Sequence, residues 1–423
     1  MNELLHTIWL SLSCTAGSET FARLLTRFNS PADIYYADDE KIASCISSGS
    51  RDYKSLINKD TGKAERILKL CESKNIGIIT YFDSGFPAGL RRIKNPPVLL
   101  YYRGRLPDFE NEFFISIVGT RRLSVYGRSN TFKIARDIAR AGATVVSGMA
   151  IGIDGVALAG AISAGKGTVG VIGCGIDVCY PKCHKRLARE IVKLGCVMTE
   201  YAPGVRPDRF NFPKRNRIIS ALSEATVVME GSERSGSVIT ARHAIEQGRT
   251  LYAFPGNVGN SGSEASNLLI KNGAKLLTSA DDIIRDFEKS SLGKLNPFNL
   301  TGSDSYDMYS VLREFEVSCV AIDDEIFKSH FPKKISVKEK DVGIKSSEGP
   351  HLQDKLENEK DLSSLFNKST VDLYKKIPID EDISIERLVD ENHTMRDVMQ
   401  GILKLEIAKF VTMLPGDRVK RNL

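Results

Sequence analysis

The chain is first informative for what it does not contain. Its 423 residues include no uninterrupted run of 18 apolar residues, so we predict no transmembrane helix and no membrane partner. Its eight cysteines form no paired framework, and a chain of this length needs no disulfides to stabilise its core, which favours a reducing, cytoplasmic environment. A net charge of +6 is too small to demand a polyanionic partner, although it permits one.

The N-terminal stretch lacks the marks of a secretory signal. The opening MNELLHTIWLSLSC is fairly apolar, but it has no basic n-region and no small-residue cleavage site after it. We expect it to form an amphipathic helix, the first of several in a small helical domain over residues 1–75. Residues 76–110 consist of short β-rich pieces separated by prolines and are predicted to extend the domain that follows.

Residues 111–290 have the most regular pattern in the chain. Apolar strands such as FFISIV, TVGVI and TVVM alternate with helical segments, and glycines stand where helix C-caps are expected. Strands that alternate with helices pair in parallel through right-handed crossovers. The sequence therefore predicts an α/β fold with a Rossmann-like, doubly wound parallel sheet.

The two segments after this domain differ from it and from each other. Residues 291–365 are polar and mixed in charge, which is typical of a flexible linker, and a short helix is predicted near 309–315. Residues 366–423 show three helical patterns followed by a hairpin signal around the Pro-Gly-Asp at 415–417. That order predicts a C-terminal winged helix.

Nucleotide-binding motifs are incomplete in this sequence. Gly173 and Gly175 start a GxGxxG pattern, but Val178 stands in place of the third glycine. A GxxxxGK pattern ends at Lys166, but Gly167 follows it where a P-loop needs Ser or Thr. Dinucleotide and P-loop sites are therefore not expected.

Metal-binding and catalytic motifs are also incomplete. The candidate zinc ligands are Cys179, Cys183, His184 and Cys196. They lack a second close pair, and cysteine is a common apolar filler of buried strands. The six histidines are scattered, Ser237 has no GxSxG context, and the carboxylates form no nuclease-like cluster. We predict no metal, no cofactor and no catalytic residue.

Four loops place small residues and cations at the predicted strand ends. Their residues are Gly119-Thr120-Arg121-Arg122, Ser147-Gly148, Tyr180-Pro181-Lys182 and Arg234-Ser235-Gly236-Ser237. In an open α/β sheet such loops converge at one edge, where helix N-termini direct free N–H groups at a ligand. Small residues let the backbone approach a phosphate, and Arg can donate two hydrogen bonds to it. The loops therefore predict a phosphate-binding crevice.

A further cationic cluster lies in NFPKRNRIIS, residues 211–220. Lys214, Arg215 and Arg217 are predicted to lie at the start of a helix. A helix N-terminus carries partial positive charge and prefers Asp or Glu, so cations there are locally unfavourable. We infer that a bound anion compensates them.

These motifs, in this order, resemble the DNA-processing protein A family of bacteria, also called DprA or Smf. The resemblance rests on IVGTRRLSVYG, VVSGMAIGIDGVALAGAIS, NFPKRNRIISALSEATVVME and RSGSVITARHAIEQGRTLYAFPG. It extends from about Ile76 to Phe287. Residues 1–75 resemble the family's N-terminal helical domain, which is SAM-like or helix-hairpin-helix-like, and residues 366–423 resemble its winged helix.

The resemblance implies a protein without catalytic activity that acts in natural transformation and recombination. Such a protein binds single-stranded DNA without sequence specificity, forms a homodimer through its Rossmann-like domain, and loads the RecA recombinase onto the DNA. The loops and the family motifs together predict the following phosphate-binding residues: Gly119, Thr120, Arg121, Ser147, Gly148, Lys182, Arg215, Asn216, Arg217, Ser235, Gly236 and Ser237.

The chain departs from the family pattern at three places near this crevice, and at the first of them Thr120 replaces the usual Ser and keeps a hydroxyl. Ile151 stands where the family usually has Arg, which removes one cation. Cys183 and His184 replace the usual Glu and Asn after Lys182, so that lysine keeps its place but changes its neighbours.

Two other functions stay open from the sequence. A nucleotide-processing enzyme, similar to phosphoribohydrolases that act on nucleoside monophosphates, would need a carboxylate beside the sugar, and Asp154, Glu200 and Glu230 are the candidates near strand ends. A regulator would act through the winged helix, whose third helix, from Thr394, mixes acidic and basic residues. For that helix, protein contact and weak duplex binding are comparably favoured.

Overall fold

The computed structural model describes most of the chain. The described residues are 3–233, 235–291, 293–300, 307–317, 368–378, 381–390, 393–395, 397–398, 401–402, 405, 410–414 and 418–421. They fall into two compact units, one with the described residues up to 317 and the other with those from 368. Much of the linker predicted over 291–365, together with Arg234 and the turn at 415–417, lies outside the described residues.

The first unit begins with six helices, α1 to α6. They span Glu3–Ser13, Thr20–Leu24, Pro31–Tyr36, Asp39–Ala43, Arg51–Ile57 and Gly62–Ser73. The Asp52 carboxylate accepts hydrogen bonds from the hydroxyls of Thr15, Ser18 and Thr20. These bonds fix the loop between α1 and α2 against α5.

A nine-stranded sheet follows the helices. Its strands β1 to β9 span Gly77–Thr80, Leu99–Gly104, Phe114–Val118, Thr144–Ser147, Thr168–Val171, Cys196–Thr199, Ala225–Val228, Thr250–Ala253 and Lys275–Leu276. They lie in the order β1-β2-β6-β5-β4-β3-β7-β8-β9. Neighbours from β6 through to β9 in this order pair in parallel, whereas β2 pairs antiparallel with both β6 and β1. The predicted α/β class with a mostly parallel sheet is therefore confirmed.

Helices cover both faces of this sheet. Helices α7 to α14 span Ala88–Arg91, Val125–Arg140, Ile153–Ser163, Lys185–Leu194, Asn211–Ala221, Gly236–Glu246, Glu264–Lys271 and Ala280–Phe287. On one face Ile138 of α8 and Ala157 of α9 share a core with Ile115 of β3. On the other face Ile218 of α11 shares a core with Phe114 of the same strand. Residues 114 and 115 serve opposite faces because side chains alternate along a strand.

The N-terminal helices share a core with the antiparallel edge of the sheet. Ile8 and Trp9 of α1 belong to the same cluster of buried side chains as Leu99 and Tyr101 of β2. The helices and the sheet therefore fold as parts of one compact unit. A domain boundary at residue 75 stays a prediction.

A short helix, α15, lies at Met308–Glu314, close to where the sequence predicted one. The buried side chains of Leu312, Phe315 and Val317 join the core that contains Val156 of α9. The segment is therefore an integral part of the first unit. A chain cut at residue 290 would lose this packing.

The second unit is small and has its own core. Its elements are α16 at Lys368–Lys376, β10 at Ile383–Ser384, a 3-10 turn at Ile385–Leu388, β11 at Val411–Leu414 and β12 at Arg418–Arg421. The strands form an antiparallel sheet in the order β10-β12-β11. The helix predicted from Thr394 is described only in part, so the winged-helix assignment stays a prediction.

Across both units, none of the helices in the described ranges combines the length and the apolar character needed to cross a membrane.

Candidate nucleic-acid interface

The order of strands along the sheet reverses at β3 and β7. These two strands pair in parallel, but β3 leads into α8 on one face and β7 leads into α12 on the other. The loops that follow them therefore separate and leave a crevice at the carboxyl edge of the sheet. In open α/β sheets, ligands bind in such a crevice.

An open pocket with a volume of 330 Å³ lies in this crevice. Eight of the twelve predicted phosphate-binding residues line it: Gly119, Thr120, Arg121, Arg215, Asn216, Ser235, Gly236 and Ser237. The structure therefore brings together the loops after β3 and β7 with one side of α11.

The N-terminus of α12 forms one wall of the pocket. Ser235 is its N-cap, and the Ser235 hydroxyl accepts a hydrogen bond from the backbone N–H of Ser237 at 3.3 Å. Asn216 of α11 donates its side-chain amide to the Gly236 carbonyl at 3.3 Å. A helix N-terminus in this position directs backbone N–H groups and partial positive charge at an anion.

A buried carboxylate that the sequence offered as a candidate catalyst holds the opposite wall. Glu230 accepts hydrogen bonds from the backbone N–H and the hydroxyl of Ser124, at the start of α8. A Cβ at Gly127 would overlap this carboxylate, so glycine is needed there. The backbone carbonyl of Glu230 also accepts the Thr120 N–H at 2.7 Å. Glu230 therefore positions the loop after β3.

Arg215 is the most informative residue of the pocket. It is only 3% exposed, yet its Nε and Nη1 have no hydrogen-bond partner in the part of the chain that the structure describes. Burial lowers the pKa of Arg215 to about 10, although the nearby Asp154 opposes this. A Cβ at Gly148 would overlap both side chains, which explains why this position is a glycine. A buried guanidinium with unused donors beside a pocket is suited to donate hydrogen bonds to a phosphate.

Asp154 is the carboxylate of the pocket. It lies in the first turn of α9, and the Ala150 N–H donates to it at 3.4 Å, which helps to fix the turn before that helix. Burial raises the pKa of Asp154, and Arg215 opposes that rise. Asp154 therefore reduces the positive charge of the pocket when it is ionised.

Aromatic rings line the side of the pocket next to Arg121. The Arg121 guanidinium lies 5.6 Å from the centre of the Phe212 ring, which in turn lies 5.3 Å from the ring of Tyr180. Arg209 also lines the pocket and stacks over Phe210, whose side chain is exposed. The sequence analysis did not select Phe212, which lies in the cationic segment 211–220, or Arg209, which lies just before it.

Three of the predicted residues lie apart from the pocket for clear reasons. The Ser147 hydroxyl is buried and donates to the Ile117 carbonyl at 2.6 Å. Gly148 lies beneath Arg215 and supports it. Lys182 is exposed and begins a 3-10 turn, Lys182–His184, beyond Tyr180.

Arg217 is the fourth and lies on the other side of α11. Its Nη1 and Nη2 donate to the two oxygens of Glu200 at 2.8 and 2.6 Å, and its Nε donates to the Asn95 carbonyl at 3.1 Å. Both members of this ion pair are buried. The anion that compensates Arg217 is therefore internal to the protein.

The helix that carries these cations begins earlier than the sequence suggested. Helix α11 starts at Asn211, so Lys214, Arg215 and Arg217 lie after its first turn. The field of a helix terminus weakens within one turn, so the dipole argument for a bound anion is weaker than predicted. The unpaired donors of Arg215 supply a better one.

The candidate zinc ligands are spread over different environments. Cys196 is buried in β6, and the Nδ1 of His184 shares a hydrogen bond with the Met149 carbonyl at 3.0 Å. Within the described ranges, no three His, Cys, Asp or Glu side chains are grouped to hold a metal ion.

Comparisons with known proteins indicate a family for the α/β part of the chain. A family model described as "DNA recombination-mediator protein A" matches residues 77–288. The DNA processing protein DprA of Bacillus subtilis (strain 168) is 36% identical over 245 residues, which cover 58% of this chain and 82% of that protein. DprA of Streptococcus pneumoniae (strain ATCC BAA-255 / R6) is 41% identical over 206 residues, covering 49% of this chain and 72% of that protein.

A solved structure gives the same result for the fold. The X-ray structure of DNA processing protein A from Streptococcus pneumoniae is similar with a TM-score of 0.58 and 32% identity. The similarity covers 68% of this chain and 98% of that chain.

Proposed function

Because the chain belongs to the DNA recombination-mediator protein A family, we propose that it binds single-stranded DNA without sequence specificity and holds a backbone phosphate in the pocket at the switch point. The observation that carries this proposal is the buried Arg215 with two unused donors. A phosphate in the pocket would accept hydrogen bonds from the Arg215 guanidinium and would meet the N-terminus of α12 on the other wall.

The aromatic side of the pocket supports a single strand as the ligand. Phe212, flanked by Arg121 and Tyr180, offers a flat surface beside the phosphate site. Stacking of bases on aromatic rings tolerates any sequence, because every base has a π face. Duplex DNA does not offer its base faces in this way, so the pocket favours unpaired nucleotides.

We assign the predicted phosphate-binding residues to different roles within this function. The eight residues that line the pocket contact DNA, with Arg121 and Arg215 as the principal cations. Ser147, Gly148 and Arg217 act through the fold, since they pack beneath or behind the pocket. Lys182 belongs to a separate surface.

The family membership extends the proposal to partners. We propose that the protein acts in the cytoplasm, in recombination and natural transformation, and loads RecA onto the bound strand. Self-association through the Rossmann-like domain has support in exposed apolar side chains at its edge, Leu268 of α13 and Leu276 of the edge strand β9. We further propose that the second unit is a winged helix.

The alternative of a nucleotide-processing enzyme depends on Asp154. The other two candidate carboxylates are engaged, Glu200 by Arg217 and Glu230 by Ser124, whereas Asp154 lines the pocket. We propose that the protein is not an enzyme and that Asp154 is a structural and electrostatic group. Incubation with nucleoside monophosphates tests this: steady release of free base that is lost in Asp154→Asn would replace the proposed function.

The main experiment measures binding by fluorescence anisotropy for single-stranded and duplex DNA over a salt series. We expect tighter binding to the single strand, similar affinity for unrelated sequences, and weaker binding as salt rises through counterion release. Arg121→Ala and Arg215→Ala should weaken binding to every sequence alike. Unchanged affinity in both variants would contradict the assignment of the pocket.

Whether the second unit contributes is tested with a shortened chain. A chain that ends after residue 317 keeps α15 and its packing on the first unit. We expect this chain to retain the preference for single strands. Loss of that preference would place the binding function in the second unit.

A further inference from the structure

Lys182, a predicted phosphate ligand that lies apart from the pocket, belongs to a second cationic surface. The 3-10 turn that carries Lys182 leads directly into α10, which begins at Lys185. Lys182, Lys185 and Arg189 are all exposed. We call these three residues the α10 patch.

The sequence of α10 is unfavourable for a helix in isolation. Lys185 and Arg189 are four positions apart and share one face, while Leu187 and Ile191 are buried on the other. Like charges at this spacing destabilise a helix. The first turn of α10 contains no acidic residue, and its N-cap, His184, makes no side-chain capping bond. The positive charge at this N-terminus is therefore not offset by the helix itself.

Neighbouring cations on the same helix have carboxylate partners, whereas the patch does not. Arg186 pairs with Glu316 at 3.5 Å, and Lys193 pairs with Glu190 at 2.7 Å. For the α10 patch, the described residues provide no carboxylate within ion-pair distance. The unpaired charge is thus confined to the flank of α10 that continues from Lys182.

The patch lies close to the pocket. Burial raises the pKa of the Cys179 thiol, and the charges of Lys185 and Arg189 oppose that rise. Burial raises the pKa of the Cys174 thiol to about 12, which Arg215 opposes and Cys179 increases. Cys174 is therefore within electrostatic range of both Arg215 and Cys179, and Cys179 is within range of the patch.

The strand order also places the two sites at the same edge of the sheet. The pocket lies over the end of β3, and the patch follows the loop that leaves β5, two strands away. Neighbouring strands are spaced by about 4.8 Å, so the ends of β3 and β5 are roughly 10 Å apart along the sheet edge. Tyr180 and Phe212, whose ring centres are 5.3 Å apart, fill the interval.

We propose that the α10 patch is a second phosphate-binding site, which holds the same DNA strand a few nucleotides away from the pocket. This inference rests on the proposed binding of single-stranded DNA. The strand would run from Arg215 over Phe212 and Tyr180 to Lys182, Lys185 and Arg189. The two lysine ammonium groups and the Arg189 guanidinium contact phosphates only, so the patch adds affinity without sequence specificity.

The test is the salt dependence of binding by the full-length double variant Lys185→Ala/Arg189→Ala. With an oligothymidine of about 20 nucleotides, longer than a typical single-strand site, we expect roughly tenfold weaker binding near physiological salt. The slope of log K against log salt should fall by about 1.4, because two phosphate contacts are lost at about 0.7 each. With a thymidine dinucleotide, whose single internucleotide phosphate can occupy only one of the two sites, binding in the pocket should not change.

The matched control removes the same charge from the opposite edge of the sheet. Lys166 precedes β5 and Lys289 follows α14, and both side chains are exposed. The variant Lys166→Ala/Lys289→Ala should keep the wild-type slope with both oligonucleotides. Thermal unfolding of both double variants checks that neither loses its fold, and Lys185→Glu/Arg189→Glu should enlarge the loss.

The outcomes separate the patch from the pocket. If wild type binds the long strand and the patch variant matches the control, the patch proposal is wrong and the pocket stands. An equal loss with the short and the long oligonucleotide would also overturn a separate second site. If wild type itself fails to bind single-stranded DNA, the proposed function is wrong and the patch falls with it.

Discussion

Arg215 and Arg217 lie two positions apart on α11 and are similarly buried, but their surroundings differ completely. Arg217 faces the N-terminal helices, where Glu200 and the Asn95 carbonyl satisfy its guanidinium. Arg215 faces the pocket, and two of its nitrogens have no partner among the described residues. Residues two apart on a helix do not share a face, so one helix can serve both regions.

The comparison shows that burial of a charge does not by itself mark function. The Arg217 region is closed: Asn95, which accepts from Arg217, also donates to the Gly17 carbonyl at 3.0 Å and so joins α11 to the loop after α1. The Arg215 region is open, because Arg215 lines a pocket large enough for a phosphate and two of its donors are unused among the described residues. The partner of a buried charge, or its absence, distinguishes the structural site from the binding site.

The largest effect, on stability, is expected when the buried ion pair of the Arg217 region is broken. Arg217→Met leaves Glu200 buried without its partner, so we expect the free energy of unfolding to fall by about 3–5 kcal/mol in denaturant titrations. The double variant Arg217→Met/Glu200→Gln should recover most of this loss, because no uncompensated charge remains. If the single variant is as stable as wild type, the ion pair does not hold the region together.

Burial of a titratable side chain, His184, provides a second prediction, in which the stability of the fold depends on pH. The pKa of His184 is lowered to about 4 by burial, against 6.5 in the unfolded chain, although the hydrogen bond to Met149 opposes this. Below pH 6.5 the unfolded chain binds this proton and the folded chain does not, so stability should fall by roughly 3 kcal/mol as the pH drops from 6.5 to 4. Denaturant titrations over this range should show a smaller fall in His184→Gln; an identical fall would assign the effect to other groups.

A substitution of Arg215, in the open region, should weaken DNA binding and should hardly change the free energy of unfolding. Arg215→Met removes a charged donor pair from the phosphate site, so we expect affinity for single-stranded DNA to fall by about 2 kcal/mol, or roughly thirtyfold. Its free energy of unfolding should change by less than about 1 kcal/mol, because no internal hydrogen bond to Nε or Nη1 is lost. Arg215→Lys, which keeps the charge without the fork, should bind with intermediate affinity. A large loss of stability in Arg215→Met would make the two arginines alike and contradict the comparison.

The smallest effect is expected at Asp154. Its ionised carboxylate repels a phosphate, so Asp154→Asn should strengthen DNA binding by about 1 kcal/mol at neutral pH. Because burial raises the pKa of Asp154, the wild-type affinity should rise as the pH falls through that pKa, whereas the variant should stay flat. Anisotropy titrations between pH 4 and 7 measure both; weaker binding by the variant would show that Asp154 positions Arg215 more than it repels the ligand.

Parts of this account could be predicted from the sequence because local pattern determines them. The alternation of apolar strands and helical segments predicted the parallel sheet, and parallel strands necessarily bring the loops at 119–121 and 235–237 to one edge. The capping box of Ser279 and Asp282 at the start of α14 is equally local, because its two residues are three positions apart. These features depend on residues close together in the chain.

Other parts could not be predicted because they depend on contacts between distant segments. The partner of Arg217 is Glu200, which is 17 residues away on another element, so a single sequence could not separate Arg217 from Arg215. The start of α11 was also predicted too late. Proline is most common at the first helical position, but Pro213 is the third residue of α11, where its missing N–H is still unneeded.

The most direct test of the central claim is a crystal structure of the protein with a short oligothymidine. We predict that one phosphate lies in the switch-point pocket with a non-bridging oxygen at about 2.7–2.9 Å from a nitrogen of the Arg215 guanidinium. Arg217 should keep its ion pair with Glu200. A bound strand that leaves Arg215 without a phosphate, or that lies outside the pocket, would contradict the account.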